Sequence, residues 1–349
     1  MMKNWRLWIG ILISAVFLYF SLSGLHLGDF WQALQGANYW WLIPGVAVYF
    51  VGVWVRAWRW HYMLRPLKKI PTRTMFPIVA IGYMGNNIYP ARAGEVLRAA
   101  VLRQREGVPI SASLATVVVE RIFDGVVMLA FVFLNLPELA RLTGDSGLIP
   151  GINIPIMQLA IIGTLIFVGA LLVFIAAAMF PRVTEKVVDW VVAKIVPKRF
   201  KTQVREISMK FLSGLESLRS PFEALMIFFT TVIIWLLETG KYWFVMHAFA
   251  GINVSFFTLM LMNGIVNLAT TLPSGPGYVG TFDLPGIAVL QAYGVAKTLA
   301  ASYTLVLHVA LWFPITALGA YYYLRQPLRW GKDMQNLRGG KGESSAVRP

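Results

Sequence analysis

Long apolar runs recur along the chain and are separated by short polar segments. The first extends without a charged residue from Leu7 to Leu25. A helix that crosses a bilayer needs about 20 mostly apolar residues, and this run exceeds the apolar core of a usual signal peptide, which is the alternative interpretation. The pattern predicts about six spanning helices, at 7–25, 39–63, 110–136, 156–180, 222–248 and 298–324.

Two further apolar segments are interrupted by Gly, Pro and Asn. The first covers 74–91, and the second lies within the uncharged stretch 242–282. Non-helical backbone at membrane depth is tolerated only inside protein or along a wet cavity. We therefore expect two re-entrant hairpins built from broken helices, while the pattern leaves open whether either one crosses fully.

The two halves of the chain are related. A shift of about 183 residues places Pro90 on Pro273 and Gly94 on Gly277. Each half then consists of a span, a broken hairpin and a span, with opposite starting sides. The predicted fold is an all-α polytopic membrane protein with an inverted-topology repeat, a design that recurs in transporters. A single membrane domain is expected over 1–325, with repeats at about 39–136 and 222–325.

Composition and charge placement support this topology. The chain is 57% hydrophobic and 13% charged, with a net charge of +15. Its Lys and Arg residues follow the predicted loops, so a nucleic-acid partner is excluded. By the positive-inside rule, both termini are cytoplasmic and the protein lies in the cytoplasmic (inner) membrane. The segment 182–219 is predicted to be amphipathic and to contact anionic inner-leaflet lipids, and the basic tail 326–349 is predicted to be disordered.

The hairpin tips are the candidate binding sites. In the first, amides and a guanidinium stand at the start of a half-helix, which suits a phosphate or carboxylate. The second offers hydroxyls, backbone amides and one acid, but no cation. The candidate residues are Asn86, Asn87, Arg92, Gly94, Glu95 and Arg98 in the first tip, and Pro273, Ser274, Gly277, Tyr278, Gly280 and Asp283 in the second.

Ionisable residues within spans are a second candidate group. Glu120, Arg121 and Asp124 lie at the middle of the third span, where each such residue costs about 2.5 to 3.5 kcal/mol on insertion scales. The cluster is predicted to be net negative. A structural ion-pair network and direct contact with substrate or proton are equally compatible with it. Glu238 and Lys241 are interpreted as an intramolecular pair near the outer interface.

Other polar residues receive structural interpretations. Arg56 and Arg59 are interpreted as snorkelling positive-inside residues. His308 takes the position of Arg121 in the second repeat and is expected to be packed or hydrogen-bonded, with proton transfer as the weaker alternative. The chain has no Cys and only scattered His, so neither a metal site nor a cofactor is expected.

Three stretches carry a family resemblance: Asn87–Arg98 (NIYPARAGEVLR), Glu120–Asp124 (ERIFD) and Pro273–Asp283 (PSGPGYVGTFD). They resemble the hallmark stretches of the flippase-like membrane domain of lysylphosphatidylglycerol synthases. Asp283 departs from the Glu expected there, which keeps the carboxylate. The soluble aminoacyl-transfer domain of the synthases is expected to be absent, so their activity is not carried over.

The resemblance implies movement of a lipid with a polar head, such as a phospholipid, a polyprenyl-linked sugar or a hopanoid. A lipid flippase or transporter that is not an enzyme is the predicted function, with a membrane lipid as substrate. One alternative is a non-transporting accessory subunit that works with an envelope-biosynthesis enzyme. An intramembrane transferase is the weaker one, because no nucleophile pair or nucleotide motif supports it. The sequence leaves the oligomeric state open.

Overall fold

The computed structural model describes residues 5–89, 93–135, 156–270 and 275–325, and these contain helices but no strands. Short 3₁₀ helices connect some of the α-helices, at Tyr39–Trp41, Lys198–Phe200, Glu216–Arg219 and Pro276–Tyr278. The α-helices of the described chain are α1 Trp5–Leu22, α2 Leu27–Gln35, α3 Leu42–Leu64, α4 Thr72–Ile88, α5 Ala93–Glu106, α6 Ile110–Leu134, α7 Ile156–Met179, α8 Pro181–Ile195, α9 Lys201–Ser213, α10 Pro221–Met246, α11 Phe256–Ala269, α12 Asp283–Ala292 and α13 Lys297–Arg325.

Helices occupy all the predicted spanning positions. Four described segments are long and apolar enough to cross a membrane, namely Tyr39–Leu64, Ile161–Met179, Pro221–Met246 and Lys297–Arg325. The 25-residue α6 has sufficient length but carries three ionisable residues, and α1 has 18 residues. The prediction of an all-α polytopic membrane protein is confirmed.

Both broken segments are pairs of helices. In the first, α4 ends at Ile88 and the backbone of Tyr89 is extended, after which α5 begins at Ala93. In the second, α11 starts after Ser255, whose side chain accepts a hydrogen bond from the Thr258 amide. A Ser at this position satisfies one of the unpaired amides at a helix start. The 3₁₀ helix Pro276–Tyr278 then precedes α12.

The helices pack reciprocally between the two halves of the chain. The span that begins the first predicted repeat, α3, lies against the span that begins the second, α10. The hairpin helix α4 packs on α13, and the hairpin helix α11 packs on α6. The approach of α13 to α4 is close enough that a Cβ on Gly319 would lie 2.5 Å from the carbonyl oxygen of Ala80. Each hairpin is therefore supported by the last span of the other half, while the repeat boundaries themselves stay a prediction.

The segment 182–219 is not one continuous amphipathic helix. It forms α8, α9 and the 3₁₀ helix Glu216–Arg219. Near its end, Leu215 and Leu218 are buried, because α9 packs against α6 and Gly214 lies against the Ala112 carbonyl. In the earlier part, apolar residues such as Val187, Trp190 and Ile207 are exposed, although Val192 is buried.

Candidate functional site

The hairpins and the spans behind them enclose a polar cavity of about 160 Å³. Residues from both predicted repeats contribute to its wall. Among the described lining residues, four are cationic and three are anionic: Arg56, Arg98, Arg121 and Lys241, with Glu95, Glu120 and Glu238.

The first hairpin is closed by a tight contact between its two helices. A Cβ at Gly94 of α5 would collide with the carbonyl oxygen of Gly82 in α4, so the contact requires glycine. At the end of α4, the Asn87 side-chain amide donates to Thr316 Oγ1 at 2.8 Å. Its backbone carbonyl accepts a hydrogen bond from Trp312 Nε1 at 3.4 Å. The polar end of α4 is thereby fixed to α13.

Arg59 of α3 is the centre of a buried ion-pair network. Its side chain is 0% exposed and lies 2.5 Å from Glu120 Oε1 and 2.7 Å from Asp124 Oδ1. It also donates to Thr231 Oγ1 at 2.9 Å. Buried charges are tolerated when their partners satisfy them in good geometry. The interpretation of Arg59 as a snorkelling residue is wrong, because its side chain points into the bundle.

The neighbouring hairpin contributes to the same network. Arg98 of α5 lies 2.7 Å from Glu120 Oε2. Arg121, whose side chain is 42% exposed, lies 3.1 Å from Glu95 and 3.4 Å from Asp124. Three guanidinium groups thus face three carboxylates among the described residues. The α6 residues Glu120, Arg121 and Asp124 are net negative by themselves, and Arg59 and Arg98 from neighbouring helices balance that charge.

A second buried network joins α3 to α10. Arg56 Nη2 lies 2.5 Å from Glu238 Oε1, and Lys241 pairs with the other carboxylate oxygen. Lys241 Nζ also lies 4.3 Å from the centre of the Tyr49 ring. The predicted pair of Glu238 and Lys241 is present, but it is buried against α3, so Arg56 does not snorkel either. Two cations and one carboxylate leave one positive charge in this trio.

The second hairpin is tied to α13 through His308. Asp283, the first residue of α12, accepts a hydrogen bond from the Gly280 amide at 2.8 Å. Its other carboxylate oxygen lies 2.9 Å from His308 Nδ1. The second ring nitrogen of His308 lies 2.7 Å from the carbonyl oxygen of Gly277. The expected hydrogen-bonding role of His308 is confirmed.

An apolar cavity of about 310 Å³ adjoins the polar one. Its wall includes Leu18 of α1 and Ile287 of α12. The residues that line both cavities form a partition between them, and we call this set the shared wall: Asn87, Gly277, His308 and Trp312.

The predicted site residues divide by position. Two of them, Gly280 and Asp283, lie behind the polar cavity and hold its second hairpin. Asp124 lies behind it in the Arg59 network. Arg92, Pro273 and Ser274 fall outside the described residues, as does Pro90. The polar cavity is lined by the other predicted residues: Asn86, Asn87, Gly94, Glu95, Arg98, Glu120, Arg121, Glu238, Lys241, Gly277 and Tyr278.

Sequence reasoning missed the contributions of Arg56, Arg59 and Trp312. A signal for Arg56 was present, since the repeat alignment places Arg56 and Arg59 beside Glu238 and Lys241. Equivalent spans of such a repeat lie close to its pseudo-twofold axis, where opposite charges would meet. Trp312 gave no such signal. No group of three or more potential metal-ligating His, Cys, Asp or Glu side chains occurs in the described part of the chain.

Comparison with known proteins gives a consistent set of relatives. Residues 7–319 match the family model described as the lysylphosphatidylglycerol synthase TM region. The chain is 26% identical over 300 residues to the glycosyltransferase AglD of Haloferax volcanii, covering 80% of this chain but only 47% of that protein. It is 26% identical over 294 residues to a UPF0104 membrane protein of Methanothermobacter thermautotrophicus, covering 81% and 83% of the two chains. No solved structure gives a significant match.

Proposed function

The chain belongs to the lysylphosphatidylglycerol synthase transmembrane-region family, and from that membership we propose that it moves an anionic, polar-headed lipid across the cytoplasmic membrane. Phospholipids and polyprenyl-phosphate-linked sugars have the required charge. The two hairpins form opposed gates around the polar cavity, which opens to one side at a time. Alternating access of this kind is the usual use of inverted repeats with broken helices.

The observation that carries the proposal is the excess positive charge of the Arg56, Glu238 and Lys241 trio, in which two cations share one carboxylate in the described part of the chain. All three side chains are less than 10% exposed, and they line the polar cavity. A buried charge without a counter-charge is costly, so an anion that enters the cavity is stabilised there. A phosphodiester carries one negative charge, which would balance the one excess positive charge of the trio.

The adjoining apolar cavity favours an amphiphile over a soluble anion. The shared wall is in contact with both spaces, so a ligand that reaches it can place a polar group on one side and hydrocarbon on the other. A free phosphate or sugar phosphate would use only the polar cavity. Ligand sites usually combine apolar walls with a few convergent polar groups, and the paired cavities provide this combination for a lipid.

The proposal is tested with Lys241→Met in reconstituted vesicles. The substitution removes the excess charge, while Glu238 keeps its partner Arg56, so the fold is expected to survive. The probe is phosphatidylglycerol with a fluorescent headgroup label, and dithionite bleaches only the outer leaflet. We expect wild-type protein to expose nearly all of the probe to dithionite and Lys241→Met to slow that exposure at least about tenfold, the factor given by a loss of about 1.4 kcal/mol.

A matched control is Lys210→Met, which removes a Lys from an exposed pair with Glu206. It is expected to behave like the wild type. Wild-type protein that does not accelerate probe movement, or Lys241→Met that moves it at the wild-type rate, would contradict the proposed lipid transport.

One comparison favours a second candidate, an accessory role beside a glycosyltransferase. The region matched in AglD is less than half of that protein, so the matching membrane part there belongs to a longer chain named for sugar transfer. In this protein the same part would then act with a separate enzyme. Two results together would favour this role over transport. One is a glycosyltransferase that co-purifies after mild detergent extraction, and the other is wild-type sugar transfer in cells that carry Lys241→Met.

A further inference from the structure

His308 lies between two groups that both accept hydrogen bonds. Its Nδ1 is 2.9 Å from a carboxylate oxygen of Asp283, and its Nε2 is 2.7 Å from the carbonyl oxygen of Gly277. A backbone carbonyl can only accept, and an ionised carboxylate can only accept. A neutral imidazole has one N–H, so it satisfies one of these contacts and directs a lone pair at the other.

The geometry therefore requires one additional proton, held either on the ring or on the carboxyl group. The second oxygen of Asp283 accepts the Gly280 amide at 2.8 Å, so both of its oxygens face donors. Hydrogen bonds to a carboxylate favour its charged form. The arrangement thus corresponds to a His308 imidazolium that donates to both neighbours, beside an ionised Asp283.

We propose that His308 and Asp283 form a binding site for one proton, and that release of this proton is coupled to movement of the lipid. The inference rests on the proposed lipid transport, and a proton gradient would be the energy source of that transport. The two side chains are 12% and 11% exposed. They are buried enough to hold fixed hydrogen bonds, while His308 reaches the polar cavity, into which the proton can leave.

The side chains around His308 come from an aromatic neighbour and from the linings of the two cavities. The ring of Phe282 lies beside the imidazole, with the ring centres 4.5 Å apart. Among the described residues that line the apolar cavity, His308 and Asp283 are the ionisable ones. The groups that share the polar cavity with His308 are Tyr49 and Arg56 of α3, Tyr83 of α4, Glu95 and Arg98 of α5, Glu120 and Arg121 of α6, Glu238, Lys241 and Tyr242 of α10, and Tyr278 of the second hairpin.

Most of these groups are already engaged by other partners. Glu238 pairs with Arg56 and Lys241, and Glu120 pairs with Arg59 and Arg98. Both carboxylates already have cationic partners, so a proton taken up near His308 is not needed to balance their charge. Asp283 is the acid that contacts the imidazole directly, which is why we assign the proton to this pair.

Loss of the proton affects the contact between the two hairpins. The proton leaves Nε2 for water in the polar cavity, while Nδ1–H keeps its stronger bond to the charged Asp283. The Nε2 lone pair then faces the Gly277 carbonyl and repels it. Gly277 has a φ of 72° and packs so closely on Trp312 that a Cβ would lie 2.9 Å from its Nε1.

Trp312 in turn contacts the end of the first hairpin at Asn87. Release of one proton therefore weakens the shared wall, where both hairpins and both cavities meet. Opening of this wall joins the polar and apolar spaces and gives the lipid a continuous path. Rebinding of the proton restores the Gly277 contact and closes the wall. The protein thus has a closed state with the proton bound and an open state without it.

The coupling is tested in vesicles that contain fluorescent phosphatidylglycerol and carry a pH gradient of about one unit. Such a gradient corresponds to about a tenfold change in an equilibrium constant per proton, so the wild type should enrich the probe about tenfold in one leaflet and reverse the enrichment with the gradient. His308→Gln should abolish the enrichment. The control His247→Gln replaces an exposed histidine that bonds its own helix and should retain it.

The outcomes separate the two proposals. Probe movement without enrichment in the wild type, or enrichment that persists in His308→Gln, overturns proton coupling and leaves lipid transport standing. Absence of any probe movement in the wild type overturns lipid transport and the coupling with it.

The proton site itself is tested without transport, which also covers the case of a His308→Gln protein that does not fold. Nitrogen NMR of ¹⁵N-histidine-labelled protein is recorded for the variant in which His26, His61 and His247 are replaced by Gln. At the pH of the transport assay, the remaining ring should show two protonated nitrogens, because both of its neighbours are acceptors. A ring with a single N–H would overturn the assigned proton.

Discussion

The substitution Glu120→Gln is expected to be among the most destabilising single changes in the bundle. The Glu120 carboxylate bridges Arg59 at 2.5 Å and Arg98 at 2.7 Å, and its side chain is 4% exposed. Gln keeps the shape and removes the charge. Arg59 retains Asp124, whereas Arg98 loses its carboxylate partner among the described residues. Leaving one charge of a buried pair uncompensated costs about 3–5 kcal/mol, and we expect a loss of that size in the free energy of unfolding.

A double variant distinguishes the cost of leaving the Arg98 charge unpaired from the cost of losing the contact with Glu120. In Arg98→Met/Glu120→Gln the unpaired guanidinium is also absent, and its contact with the Trp60 ring is lost equally in the Arg98→Met single variant. The double variant should therefore be less destabilised than the sum of the single ones, by about 2–3 kcal/mol. A matched control is Glu206→Gln in the exposed pair with Lys210, for which a change below about 1 kcal/mol is expected.

The assay is unfolding by SDS in mixed micelles, followed by tryptophan fluorescence, for the wild type, both single variants, the double variant and the control. Two results would refute the reasoning. One is a Glu120→Gln protein as stable as the Glu206→Gln control. The other is a double variant whose loss equals the sum of the single losses, because the ion pair would then contribute no coupling.

Two further predictions concern packing and topology. Gly94→Ala should destabilise the first hairpin by about 1–3 kcal/mol through overpacking against Gly82. By contrast, Gly169→Ala places its new Cβ with no atom within 4 Å, so in the same unfolding assay it should keep the wild-type stability or gain up to about 1 kcal/mol from helix propensity. Equal stabilities of these two variants would contradict the tight contact between α4 and α5. Because the chain contains no cysteine, single cysteines report topology directly: an impermeant maleimide should label His247→Cys in intact cells and Lys210→Cys only after permeabilisation. Labelling of both from the same side would contradict the predicted orientation.

Local features of the fold could be predicted from the sequence. Uninterrupted apolar length located the spans, and the Gly, Pro and Asn residues located both breaks, because these signals act through the backbone of the segment that carries them. The end of α4 at Ile88 falls within the first predicted broken segment, and the 3₁₀ helix Pro276–Tyr278 falls within the second. In the segment 182–219 the stripe of apolar residues does not indicate whether lipid or protein covers it, and at Leu215 and Leu218 the protein does.

The pairing of charges could not be predicted in the same way. Arg59 meets a carboxylate that is 61 residues away, and Arg56 meets one that is 182 residues away. Hydropathy and charge counts describe each span separately, so an Arg near the cytoplasmic end of a helix was interpreted by its distance from the interface. Only the facing helix determines whether that side chain turns outward to water or inward to an acid.

The support of each hairpin by a span from the other half has a consequence for biosynthesis. The partner of the Asn87 amide, Thr316, is 229 residues further along the chain. At about 5–20 residues per second, a ribosome needs roughly 10 to 45 s to reach it. During that interval α4 has entered the membrane region with its polar end unpaired, which is long compared with the folding of a helical hairpin. The Asn87 amide therefore gains this partner only after α13 has been synthesised, so the contact between α4 and α13 forms late in biosynthesis.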